Sequence, residues 1–159
     1  MVLSKVHSLK ILLVNKSSNF SVTIPSSVTS IGTGAFRDNP RLTTIYYYPS
    51  VGIPNYFAYN NTGLSNLSAS STTSIGEYAF YNTGSFTASF PNVRTVYNYA
   101  FGNSRVRTAS FSNLTSLGSY AFNNATSLTR FDSTGSSTLT INSNAFNGTS
   151  SLSTVDIRG

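Results

Sequence analysis

The chain has 159 residues, a formal net charge of +6 and no cysteine, so disulfides, thiolate metal sites and thiol nucleophiles are excluded. Charged residues make up only 9% of it; Asn, Ser, Thr and Tyr supply the polarity instead, a neutral hydrogen-bonding composition common in secreted, cell-surface and virion proteins. The positive balance comes from few acids rather than from a basic stripe, since Lys5, Lys10 and Lys16 lie near the N-terminus and the arginines are scattered, which argues against a nucleic-acid partner.

Residues 1–8 precede any periodic pattern and are expected to cap the first coil. The apolar run Ile11 to Val14 is too short for a signal-peptide core or a membrane span, so no signal peptide is visible in this chain and no membrane insertion is expected. Residues 9–30 read as a partial first coil, because SLKILLVNKSSNFSVTI fits against TSLTRFDSTGSSTLTI at 126–141. From there the text repeats. Residues 87–101, TASFPNVRTVYNYAF, return at 108–122 as TASFSNLTSLGSYAF, an offset of 21 residues. Self-similarity at such a period marks a solenoid, propeller or array. Ala followed by Phe recurs at Phe36, Phe80, Phe101, Phe122 and Phe146, with the order inverted at Phe57 and Ala58. An aliphatic residue opens each repeat at Ile31, Ile53, Ile75, Val96, Leu117 and Ile141, so repeats start near 31, 53, 75, 96, 117 and 141. A further apolar column follows at Leu42, Leu64, Phe86, Val106, Leu128 and Leu152.

Runs such as Leu42 to Tyr48 and Thr108 to Phe111 alternate and are broken by Pro, Gly and Asn, as half-buried strands are. Stacked in parallel at about 4.8 Å per coil, roughly seven layers make a rod about 34 Å long, with the recurring Phe in a column inside it. Asp38, Asn60, Asn82, Asn103, Asn124 and Gly148 form a second column of residue types that tolerate left-handed backbone, expected to be a turn ladder. A calcium-binding repeat would need clustered carboxylates, and this column has one Asp. The insertion Ser133 to Thr138 is expected as a flexible surface loop by composition. Leu152, Val155 and Ile157 read as a last strand with no polar cap after it, so further repeats or a docking partner are expected at that end.

Residues 22–42, VTIPSSVTSIGTGAFRDNPRL, resemble the BspA-type leucine-rich repeats, whose usual text is close to IPxSVTxIGxxAFxxCxxL. Ile24, Pro25, Ser27, Val28, Ile31, Gly32, Ala35, Phe36 and Leu42 carry the resemblance. IGEYAF at 75–80 and LGSYAF at 117–122 repeat it, and it extends from about Leu9 to Ile157. Where that family often has Cys, this chain has Asn39, Asn61, Thr83, Ser104, Ala125 and Thr149; at Ile53 and Pro54 it departs from the Ile-Gly pair. The fold expected is a mainly β solenoid, a leucine-rich-repeat-like right-handed coil of short parallel strands with irregular or short helical returns, forming a single domain over 1–159. The family occurs in bacterial surface proteins and in some protozoan and phage-encoded chains.

Catalysis is not expected. His7, Asp38, Glu77, Asp132 and Asp156 are the whole supply of His and carboxylates, the four acids fall in different coils, and no cofactor or metal is implied. The outward residues of the strands say more. If Leu42, Ile45 and Tyr47 point inward, then Thr44, Tyr46 and Tyr48 face out. Their equivalents are Asn66 and Ser68, Thr87 and Ser89, Thr108 and Ser110, Arg130 and Asp132, then Thr154, Asp156 and Arg158. Tyr brings rigid apolar area with a polar tip and is favoured on recognition surfaces. The candidate ligand face is therefore Thr44, Tyr46, Tyr48, Asn66, Arg130, Asp132, Asp156 and Arg158. The plainer alternative is that the two tyrosines cover a strand edge and that Arg130 and Asp132 simply pair. The function expected is a non-catalytic binding module showing a rigid face to a protein or glycan in cell-surface adhesion or recognition, outside the cell. The alternative is a structural or host-recognition part of a phage virion, a tail or head-fibre module whose C-terminal coil docks onto other subunits.

Overall fold

The computed structural model describes residues 18–135 and 138–158. The cap expected over residues 1–8, with His7, and the start of the partial first coil lie outside the described residues. In chain order the strands are β1 (Phe20–Ile24), β2 (Leu42–Tyr47), β3 (Asn66–Ser68), β4 (Ser74–Ile75), β5 (Thr87–Phe90), β6 (Thr95–Val96), β7 (Thr108–Phe111), β8 (Ser116–Leu117), β9 (Arg130–Thr134), β10 (Thr140–Ile141) and β11 (Thr154–Arg158). Turns join them, and no helix occurs among the described residues.

Every pairing is parallel and links successive coils, as the repeat requires. One sheet runs β1-β2-β3, a second β5-β7-β9-β11, and a third β4-β6-β8-β10. β3 packs beside β5, so the first two sheets form one side of the solenoid. The third sheet is lengthened by a bridge between Ile53 and Ile75. The turn at Ile53 and Pro54 therefore keeps its place although the Ile-Gly pair is lost: the Ile53 amide donates to the Ser74 carbonyl at 2.8 Å and Ile53 accepts from Gly76 at 2.8 Å.

Alternation buries every second residue of β5, β7 and β9 and fixes which face these strands show. In β5 and β7 the inward pair is small then large, Ala88 and Phe90 beside Ala109 and Phe111. In β9 the order reverses to Phe131 and Ser133, which conserves core volume while moving the ring two residues earlier. The Phe column adapts in the same way. Phe101 lies between Phe80 (centroids 5.4 Å, planes 15° apart) and Phe122 (5.0 Å, 4°). Ala58 takes the backbone slot that Phe holds in other coils, and the neighbouring Phe57 fills the space edge-on against Phe36, Tyr47 and Phe80. Each of these buried rings contributes about 1.5–3 kcal/mol by leaving water.

The Asn column is a turn ladder. Asp38, Asn60, Asn82, Asn103 and Asn124 have φ between 51° and 60°, and Gly148 has φ 74°. The side chains link the coils: the Asn60 amide donates to Asp38 Oδ1 at 2.9 Å and Asn82 to Asn60 Oδ1 at 3.0 Å. In the column that stands where the family often has Cys, Asn61 Oδ1 accepts from the Asn39 amide at 2.8 Å while its buried Nδ2 has no partner among the described residues. Thr83, Ser104 and Thr149 each donate a hydroxyl to the Phe carbonyl three residues earlier, at 2.7–2.8 Å.

One expectation is corrected. Ser133 and Thr134 do not belong to a surface loop but to β9, paired with Ile157 and Arg158 of β11, and Ser133 is buried. Strand pairing to the following coil overrides their small polar composition; residues 136 and 137 of that stretch lie outside the described residues.

Candidate binding face

β2 buries Leu42, Ile45 and Tyr47 and turns Thr44, Tyr46 and, just beyond it, Tyr48 outward. Tyr46 and Tyr48 are 41% and 44% exposed, and their rings stack at 6.4 Å and 13°. β2 lies between β1 and β3, and its pairing with β3 ends at Tyr46. Register sets Thr44 beside Asn66 and Tyr46 beside Ser68. Further along, Thr87, Thr108, Arg130 and Thr154 form one outward row, and Ser89, Ser110, Asp132 and Asp156 the next. The candidate residues thus share one side but fall into two groups, Thr44, Tyr46, Tyr48 and Asn66 on β2 and β3, and Arg130, Asp132, Asp156 and Arg158 on β9 and β11.

The second group is a closed ion-pair network. Arg130 meets Asp132 through Nη2 at 2.7 Å and Nε at 2.8 Å, and reaches Asp156 at 3.6 Å. Arg158 grips Asp156 with two bonds, at 2.7 and 2.6 Å, and the Ser110 hydroxyl donates to Asp132 at 3.2 Å. The hydrogen bond from Arg130 holds the Asp132 carboxyl below its ordinary range, and the bonds that Arg158 donates to Asp156 raise its own guanidinium. Asp132 therefore stays ionised and paired with Arg130 and supplies no general acid. At this exposure such pairs add little stability.

The first group borders an open depression of about 360 Å³ lined by Tyr46, Asn66, Ser68, Thr87 and Arg107. Arg107 was not among the residues expected on this face. It has no ion pair among the described residues, and its only sequence signal is its position one residue before the strand at Thr108. Sequence reasoning also missed a tyrosine column. Tyr56, Tyr78, Tyr99 and Tyr120 have left-handed backbone, φ 55–57°, and stack in series at 5.0–5.1 Å with planes within 6°. Tyr59 and Tyr81 form a second stack at 5.3 Å. The recurrence of Tyr two residues before Phe in YNYAF, GEYAF and GSYAF was the available signal.

Among the described residues no group of three or more His, Asp or Glu could hold a metal, and no helix is long and apolar enough to cross a membrane. Hydrogen bonding and ring contact are the chemistry this surface offers.

Parallel coils, an inner Phe column and in-register outer rows define a β-solenoid repeat protein. The family described as BspA type Leucine rich repeat region matches in 6 copies, over residues 12–112 and 51–159, and the chain belongs to it. Its members are commonly surface-associated binding repeats and generally non-catalytic scaffolds. No curated protein and no solved structure matches the chain.

Proposed function

We propose that this protein is a non-catalytic binding module that presents the outer side of β2, β3, β5, β7, β9 and β11 to a protein or glycan at a cell surface. The observation that carries this reading is the stacked, exposed pair Tyr46 and Tyr48 on a central strand, beside a polar depression with an uncompensated Arg107. Rigid aromatic area next to free hydrogen-bonding groups is what recognition surfaces use. Pull-down of the purified chain by intact bacterial cells, envelope glycans and host matrix proteins tests it. Binding is expected, and it should be lost in the Tyr46→Ala, Tyr48→Ala double variant. A folded wild-type chain that none of them captures would overturn the reading.

A second reading is a structural part of a phage virion. Val155, Ile157 and Ile141 are 51%, 45% and 41% exposed, an apolar surface that a neighbouring subunit of an assembly would cover. Concentration-dependent assembly, abolished by Val155→Lys with Ile157→Lys, would favour it.

A further inference from the structure

In the third sheet the residue after each buried aliphatic forms a column of its own: Pro54 after Ile53, Gly76 after Ile75, Tyr97 after Val96 and Gly118 after Leu117. Their amides climb the sheet in register, Gly76 to Ile53, Tyr97 to Ile75 and Gly118 to Val96, at 2.7–2.9 Å. Glycine fits this column because a Cβ at Gly76 or Gly118 would lie within 2.7 Å of backbone in the preceding coil. Pro54 and Tyr97 depart from it, and Tyr97 is the larger. It is 48% exposed, and among the described residues its ring stacks on no other and its hydroxyl has no partner. A large exposed aromatic between Gly76 and Gly118, unused by the fold, asks for another explanation.

Beside it is an open slot of about 520 Å³, within the roughly 300–1,000 Å³ of small-molecule sites. Pro54 and Tyr97 line it two coils apart, about 9.6 Å at strand spacing, with Gly76 between them. That leaves room for one saturated ring between an apolar wall and an aromatic one. Asn55, Glu77 and Ser74 complete the lining. Asn55 Oδ1 already accepts from the Glu77 amide at 2.9 Å, which leaves the Asn55 NH2 free to donate. Glu77 Oε1 accepts from Asn98 at 3.4 Å, and the other carboxylate oxygen has no partner among the described residues.

We propose that this slot binds a single pyranose ring of a neutral glycan, its C–H face on Tyr97 and its hydroxyls shared between Glu77 as acceptor and Asn55 as donor. The chemistry selects that class. An aromatic wall suits the apolar face of a sugar, an acceptor beside a donor suits neighbouring hydroxyls, and the Glu77 charge repels uronic acids and phosphates. The site lies on the third sheet and is independent of the tyrosine pair on β2.

The full chain is tested on an array of neutral oligosaccharides of glucose, galactose, mannose and N-acetylglucosamine, beside uronic-acid oligosaccharides. Wild type should bind at least one neutral series. Tyr97→Gly, which restores the residue found in adjacent coils and so keeps the fold, should weaken it about tenfold. Glu77→Gln should weaken it too, whereas the Tyr46→Ala, Tyr48→Ala variant should bind as wild type does. Binding to no neutral oligosaccharide, binding to the acidic ones alone, or unchanged affinity in Tyr97→Gly would overturn the proposal. Loss in the Tyr46, Tyr48 variant alone would assign the glycan to the β2 face instead.

Discussion

Tyr47 shows how one side chain ties two parts of a coil together. It is fully buried, its ring meets Phe57 edge-on at 5.6 Å, and its hydroxyl donates to the carbonyls of Val51 at 3.1 Å and Gly52 at 3.0 Å. Burial pushes its phenol far above the ordinary value, since an ionised ring could not donate and would be stranded out of water. Tyr78 is raised as well, by burial first and then by its neighbours Tyr99 and Tyr56. The folded state therefore keeps protons that the unfolded chain releases above about pH 10, and stability must fall as pH rises through that region. Urea midpoints measured from about pH 9 to pH 11 should decline. Tyr47→Phe should cost about 1 kcal/mol at neutral pH, for the lost hydrogen bonds, and flatten the decline, with Tyr78 leaving a residual slope. An equally steep decline in the variant would mean that Tyr47 is not the group responsible.

The coil is built from short elements whose spacing is set by what lies between them. Gly118 follows β8 where a Cβ would stand 2.6 Å from the Tyr97 carbonyl carbon and 2.7 Å from the Asn98 nitrogen, both backbone atoms that cannot swing aside. Gly118→Ala should then destabilise by about 1–3 kcal/mol, the usual cost of overpacking. Chemical denaturation reads this directly, and an unchanged midpoint would show that the coils can separate without loss. The same closeness explains which features were legible in the sequence. Phe101 and Asn103 have counterparts along the chain because the same packing and backbone requirements return from coil to coil, so period alone exposed the core column and the turn ladder. The tyrosine column was hidden because left-handed backbone costs an ordinary residue about 1–2 kcal/mol, which argues against Tyr there. In the stack, contact with Tyr78 and Tyr120 offsets that cost for Tyr99. Ser133 misled for a related reason, since its neighbours in sequence suggest a loop while its neighbour in space, Ile157, makes it a strand. The slot at Tyr97 needs three coils side by side to exist, and no single repeat contains it.

At the scale of the whole molecule, stability is a sum of similar interfaces, each coil touching only the one before and the one after. Phe101 occupies the middle of this series, fully buried and stacked on both sides, whereas Phe146 is half-buried in a terminal coil. Truncating Phe101 leaves a cavity that both adjoining interfaces share, and Phe→Ala in such a core costs about 3–5 kcal/mol. That loss falls at one point in the chain of couplings, so the two halves should begin to unfold separately. Phe101→Ala is expected to broaden the denaturant transition and lower its apparent m-value, with hydrogen exchange accelerating on both sides of residue 101. Phe146→Ala should instead fray the end, with a smaller shift of midpoint and faster exchange confined to β10 and β11. If Phe101→Ala kept a single sharp transition merely moved to lower denaturant, coupling between coils would have to run mainly through the outer ladders of Asn and Tyr.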